Sequence, residues 1–177
     1  MNPTRLIDLL ETHQLVSKTM TIERGAYLCH AGMVSTDIYY LTEGSVQAYV
    51  LENEEEQIIR FGYKDNIIVA LDSFLSGAPS SFYMQALKKT TAKVIQKEHF
   101  MAFIQAHTDH LKLWAGLLED LVLQQIEREI DILTTAPKER YERVLQRSPQ
   151  LFQEIPHKYI ANYLRMSPET LSRLKKS

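Results

Sequence analysis

Residues 167–176 read Ser-Pro-Glu-Thr-Leu-Ser-Arg-Leu-Lys-Lys. The polar types in this stretch suit the edges of base pairs. The Arg173 guanidinium can donate two hydrogen bonds to guanine N7 and O6, and the Glu169 carboxylate can accept from a cytosine amine. Ser172 and Thr170 offer a hydroxyl or a methyl contact. His157, Lys158, Lys175 and Lys176 suit phosphate instead, which fixes register without specifying sequence. To face outward together, the base-reading groups must share one side of a helix. Leu171 and Leu174, three residues apart, form its inner side. Ser167 is a good N-cap, and Pro168 fits the first helical position.

A helix this short needs a support. Pro156 can open a preceding helix, on which Ile160 and Leu164 are apolar four residues apart with Ala161 between them. A small side chain at Ala161 lets the second helix come close, and Met166 lies in the turn. The pattern predicts a helix-turn-helix whose second helix enters a DNA major groove. Arg165 is the exception, because a turn of this kind often takes positive φ, at a cost of order 1 kcal/mol for a side chain other than glycine. Charge supports the assignment. Residues 135–177 hold nine Lys or Arg against four Glu, while the rest of the chain holds 11 basic and 18 acidic residues, for a net −2. A basic tip on an acidic body gives one surface that meets phosphate and another that does not.

The 177 residues suffice for one ordinary domain and a small second one. An apolar share of 45% is normal for a globular protein, and no run approaches the roughly 18 apolar residues of a membrane helix. Leu6, Ile7, Leu9 and Leu10, interleaved with Asp8 and Glu11, form an amphipathic helix rather than a signal peptide, so a cytoplasmic location and no membrane partner are expected. The lone Cys29 excludes an internal disulfide and a cluster held by several thiolates, and it is expected to be a small buried hydrophobe. His107 and His110, three apart, lack a third ligand nearby, so surface or capping roles are expected and no metal or other cofactor. No nucleophile–base pair or phosphate loop is present. A cupin-like metalloenzyme needs clustered His and carboxylates, and His30 is the only His between Lys18 and Lys97. The chain is therefore not expected to be an enzyme.

The elements that must carry the tip follow from pattern. Asn2 and Pro3 begin a helix over about 3–13. Ile38-Tyr39-Tyr40-Leu41, the turn Glu43-Gly44-Ser45 and the alternating Val46-Gln47-Ala48-Tyr49-Val50 predict a hairpin. Asn53-Glu54-Glu55-Glu56 is a polar turn before Gln57-Ile58-Ile59-Arg60-Phe61. Further strands are expected at about 67–70, 82–87 and 91–96, giving a sandwich or jelly roll. A short helix over 98–105 leads to a long one over 109–133. Leu111, Trp114, Leu118, Leu121, Ile126, Ile130 and Leu133 form its stripe, widened by Leu113, Leu117 and Val122. Part of that stripe is expected to stay exposed and to pair with the same helix of a second chain. Pro137 ends this helix and begins the next over 137–147, and Ser148-Pro149 breaks the chain again.

At Ile22, Gly25, Leu28, Gly32, Ile38, Tyr39, Leu41, Gly44 and Val46 the chain resembles the glycine-spaced β-roll of the Crp/Fnr superfamily of bacterial transcription regulators. Glu169-Thr170-Leu171-Ser172-Arg173 is similar to the Glu-x-x-Ser-Arg recognition helix of the Fnr branch. The resemblance implies an α+β chain in three parts: a cyclic-nucleotide-binding-like β-roll with flanking helices over 1–108, a long dimerisation helix over 109–134 and a helix-turn-helix over 135–177. It further implies a homodimer on a palindromic double-stranded site with half-sites about one helical turn apart. RNA polymerase and an unidentified small-molecule effector are further implied partners. The sequence departs from the family in its sensor. Where cyclic-AMP-binding members carry Gly-Glu and Arg-Ser/Thr, this chain has Val69-Ala70 and Ser80-Ser81, so tight cyclic-nucleotide binding is not expected. A pocket bounded by Phe61, Ala70, Leu71, Phe74, Ser80, Ser81 and Phe82 is left either to another small molecule or to its own side chains. No wing is evident after the recognition helix, so phosphate grip is expected to rest more on dimerisation and on the basic residues of 138–147. The alternative is a small-molecule-binding or scaffold protein with a vestigial DNA-binding tip.

Overall fold

Helix α1 (Pro3–Thr12) turns Leu6, Ile7 and Leu10 to one buried side. The chain then runs through β1 (Val16–Ile22), β2 (Tyr27–Cys29), β3 (Ile38–Glu43), β4 (Ser45–Glu52), β5 (Glu55–Tyr63), β6 (Ile67–Ile68), α2 (Leu71–Ser76), β7 (Tyr83–Ala86) and β8 (Thr90–Ile95). Helices α3 (Lys97–Ala106), α4 (Thr108–Leu133), α5 (Pro137–Arg147), α6 (Leu151–Glu154), α7 (His157–Tyr163) and α8 (Pro168–Leu174) complete it. The computed structural model describes residues 3–176, so Asn2 and Ser177 lie outside the described residues. The chain divides inside α4 into two compact units, Met1–Leu118 and Glu119–Ser177.

In the first unit two four-stranded sheets, ordered β1-β8-β3-β6 and β2-β7-β4-β5, form an antiparallel β-roll. Ile22, Tyr39, Leu41, Ile68, Ala92 and Val94 of the first sheet share one buried cluster with Cys29, Val46, Ala48, Met84 and Ala86 of the second. Cys29 is the buried small hydrophobe its isolation suggested. The other side of β3 is covered too. Ile38 and Tyr40 join Ile95, the α1 leucines, Phe74 of α2 and Phe100, Phe103 and Ile104 of α3, with Leu113, Trp114 and Leu117 of α4 packed against them. Burial on both faces explains why Ile-Tyr-Tyr-Leu is continuously apolar rather than alternating.

The hairpin expected across Gly44 does not form. Strand β3 pairs with β6 and β8, whereas β4 pairs with β5 and β7. Gly44 is instead the corner where the chain leaves one sheet for the other. Its φ is 84°, and a Cβ there would stand 2.4 Å from Thr90 Oγ1 and 2.5 Å from the Lys89 carbonyl oxygen. The true hairpin joins β4 to β5 through Asn53 and Glu54, whose φ values of 50° and 66° suit a two-residue turn of the mirror-image kind. The strand expected over 67–70 stops at Ile68, and α2 follows almost at once, which the sequence pattern did not reveal.

The apolar residues of α4 belong to two sides, not one stripe. Leu113, Trp114 and Leu117 face the first unit's helical cluster, and Trp114 lies 5.6 Å from the Phe100 ring. Further along, Val122, Leu123, Ile126, Ile130 and Leu133 are exposed. Leu123 is absent from the predicted stripe. Among the described residues no helix is long and apolar enough to cross a membrane.

Candidate nucleic-acid interface

The second unit builds the tip from its buried side outward. Ile160, Ala161, Leu164 and Leu171 are all but inaccessible to solvent, which anchors α8 against α7. Pro156 stands at the N-cap of α7, one place before the helix. The turn closes with the Met166 amide donating to the Ala161 carbonyl (3.0 Å) and the Arg165 amide to the Asn162 carbonyl (2.9 Å). Arg165 takes a φ of 53°, the left-handed value expected of that position. Its carbonyl accepts from Arg140 Nη2 (3.2 Å), while Arg140 Nη1 donates to the Thr134 carbonyl (2.8 Å). Buried Arg140 thus ties the strained turn to the segment just after α4.

At the start of α8 the Ser167 hydroxyl accepts from the Thr170 amide (3.2 Å), the cap predicted for it. Glu169, Ser172, Arg173 and Lys176 are exposed, as are His157 and Lys158, and Thr170 is half-buried. The Thr170 hydroxyl lies 3.5 Å from Arg173 Nη2 and 3.2 Å from the Ser167 hydroxyl, a short polar chain along one side of α8. The backbone amide of Glu169 itself, followed by the Ser167 hydroxyl and Arg173, holds the Glu169 carboxyl below the usual range. It is therefore an ionised acceptor at neutral pH. Lys175 Nζ donates to His157 Nε2, and both border a shallow hollow of about 350 Å³ with Pro168, Leu171, Ser172 and Lys176. Lys158 Nζ rests 4.5 Å from the Tyr159 ring centroid.

The three arginines of 138–147 are engaged within this unit, whereas Lys138 is exposed with Glu142 at 3.8 Å. Arg140 is buried in the clasp just described. Arg143 pairs with Glu127 (3.0 Å) and Asp131 (3.2 Å), and Arg147 pairs with Glu127 (3.3 Å) and with both Asp131 oxygens. The hydrogen bonds Arg147 donates to Asp131 raise its pKa. Buried Arg128 lies over the Tyr163 ring at 3.6 Å, and burial lowers its pKa. The i, i+4 spacing of Glu127–Asp131 and Arg143–Arg147 carries this network, a signal visible in the sequence only once α4 and α5 are known to pack together.

The seven residues expected to bound a pocket differ in their surroundings. Ala70 belongs to the roll core, whereas Phe74 belongs to the helical cluster, 6.0 Å from Trp114 and 6.2 Å from Phe100. Phe61 is buried on β5, Leu71 and Phe82 are half-buried, Ser80 is buried and Ser81 is exposed. A groove of about 340 Å³ in this unit is lined by residues of 27–39 and by none of the seven. His110 Nδ1 meets the Phe103 carbonyl at 2.8 Å, and His107 stands at the C-cap position of α3. Among the described residues no three His, Cys, Asp or Glu are grouped to hold a metal.

Comparison with known proteins places this architecture. The model of the cyclic nucleotide-binding domain family matches residues 19–107, half of the chain. Among curated proteins no sequence matches significantly. FixK2 from Bradyrhizobium japonicum superposes with a TM-score of 0.72 at 17% identity, over 92% of this chain and 84% of that one. A CooA variant from Carboxydothermus hydrogenoformans gives 0.72 at 14% identity, over 97% and 82%. The catabolite activator protein of Thermus thermophilus gives 0.58 at 19% identity, over 97% and 81%. At such identities the likeness is one of fold. With a β-roll, a long helix and C-terminal helices in that order, the chain belongs to the cyclic nucleotide-binding domain family and has the fold of the Crp/Fnr regulators.

Proposed function

We propose that this chain is a dimeric, DNA-binding transcription regulator of the Crp/Fnr type that does not respond to cyclic AMP. One observation carries the proposal: α8 turns Glu169, Ser172 and Arg173 to solvent while Leu171 locks its other side against α7. A helix held this way, with an ionised acceptor and a guanidinium on its free side, fits the major groove as a rigid reader. Dimerisation is supported by the exposed face of α4. Leu123, Ile126, Ile130 and Leu133 repeat at three- and four-residue intervals, the spacing of a helix-pairing seam. Residues 1–108 then serve as sensor, 109–134 as the dimerisation helix and 135–177 as the reader. Insensitivity to cyclic AMP is supported by uncharged Ala70 and Ser80 where cyclic-AMP-binding members place a carboxylate and a guanidinium.

Selection of bound DNA from a random library tests the proposal. A palindromic consensus with half-sites about one helical turn apart is expected. Recovery of unenriched sequence would leave the chain without a specific reading function.

A further inference from the structure

The β-roll contains a carboxylate held like a ligand. Asp72, the second residue of α2, accepts the Ser73 amide on Oδ1 (2.8 Å), the Ser80 hydroxyl on Oδ1 (2.9 Å) and the Ser81 amide on Oδ2 (2.7 Å). The donors are themselves fixed from outside. Ser80 is buried, its amide donates to the Met33 carbonyl (2.9 Å), and its carbonyl accepts from Gly32 (2.8 Å). The Ser80 hydroxyl also accepts from the Phe82 amide (3.0 Å), and the Ser73 hydroxyl accepts from the Ser35 amide (2.9 Å). Two segments eight residues apart thus aim three donors at the oxygens of one group. Converging backbone amides and a hydroxyl are the donors that hold an oxyanion.

We infer that Asp72 determines ligand specificity in the roll: its carboxylate occupies these donors in place of a ligand's phosphate or carboxylate. An anionic ligand at this wall must displace Asp72 and meet its charge, so neutral or cationic molecules are the chemistry the site tolerates. The inference rests on the reading that this roll takes no cyclic nucleotide, and explains it by occupation as well as by the missing Arg. Removing the carboxylate leaves the Ser80 hydroxyl and the Ser81 amide free to hold an added oxyanion.

Thermal unfolding of the full chain with inorganic phosphate tests this. Wild type and Asp72→Asn, in which the amide still fills the place, are expected not to respond. Asp72→Ala is expected to gain about 4 °C in Tm at phosphate ten times its Kd. A folded Asp72→Ala without that gain, or an equal gain in wild type, overturns the inference. If Asp72→Ala does not fold, amide NMR of wild type and Asp72→Asn decides. The Ser73 and Ser81 amide resonances must then both move in Asp72→Asn, and a Ser81 amide that does not move overturns the clasp. Cyclic AMP binding by wild type would overturn the cyclic-AMP reading together with the inference. Silence of both wild type and folded Asp72→Ala overturns the inference alone.

Discussion

Asp131 and Glu127 lie one turn apart on α4 and hold the same two arginines, yet their replacement is expected to cost very different amounts. The Asp131 side chain is 0% exposed and accepts from Arg143 Nε and from both terminal nitrogens of Arg147. The Glu127 side chain is 46% exposed and accepts one bond from each arginine. Removing one partner of a buried ion pair costs about 3–5 kcal/mol, because the other charge is left uncompensated. Here the arginine side chains are 32% and 30% exposed and keep Glu127, so water and the second acid recover part of the loss. The expected cost of Asp131→Ala is about 2–3 kcal/mol. Glu127→Ala, a half-exposed pair, should cost about 0.5 kcal/mol. Urea unfolding followed by far-UV circular dichroism measures both, provided the slopes agree with wild type. An Asp131→Ala/Arg147→Ala cycle should yield a coupling of about 1–3 kcal/mol. Equal losses for the two acids, or additive single effects in the cycle, refute the assignment of Asp131 as the anchor of this network.

Glycine position predicts a second contrast. Gly44→Ala faces both a left-handed φ and backbone atoms within 2.6 Å, and should cost about 3 kcal/mol or more, whereas Gly25→Ala, with the same φ of 84° and nothing within 4 Å, should cost about 1 kcal/mol in the same unfolding assay. Burial, then the charge of Asp37, pushes the Tyr39 hydroxyl up to about 12, from 10.0. The folded state therefore keeps a proton that the unfolded chain releases first, so stability is intact below pH 10 and falls by about 2–3 kcal/mol as pH rises to 12. Tyr39→Phe should remove that share of the slope in unfolding titrations, while Tyr49, whose hydroxyl burial also pushes up, keeps its own. If α4 pairs as proposed, the parent chain is expected to give dimers in native mass spectrometry, and Asp at both Leu123 and Ile130, which sets charges into its exposed apolar face, should give monomers.

The tip was legible in the sequence because its rules are local. Ser167 as cap, Pro168 at the first turn, the inward Leu171 and the left-handed Arg165 each depend only on near neighbours. The β-roll was legible as a class, since turn residues and short β-prone runs mark strands. Its connections were not. Whether Gly44 ends a hairpin or a crossover depends on Thr90, 46 residues away, and no local pattern carries that. The arginines of α5 misled for a related reason. A count of charge along the chain cannot tell Arg147 facing phosphate from Arg147 facing Asp131. The place of Asp72 is not legible in the sequence because it depends on Ser80 and Ser81 folding back onto its carboxylate.

The reading function of α8 is tested most directly by the ratio of affinities for a selected palindromic site and its scrambled form, measured by fluorescence anisotropy at fixed salt. Arg173→Ala is expected to lower that ratio by roughly 5- to 150-fold, the equivalent of about 1–3 kcal/mol per base contact, while Lys176→Ala weakens both DNAs alike. Equal affinity of the parent chain for the two DNAs, with Arg173→Ala indistinguishable from it, would contradict the account.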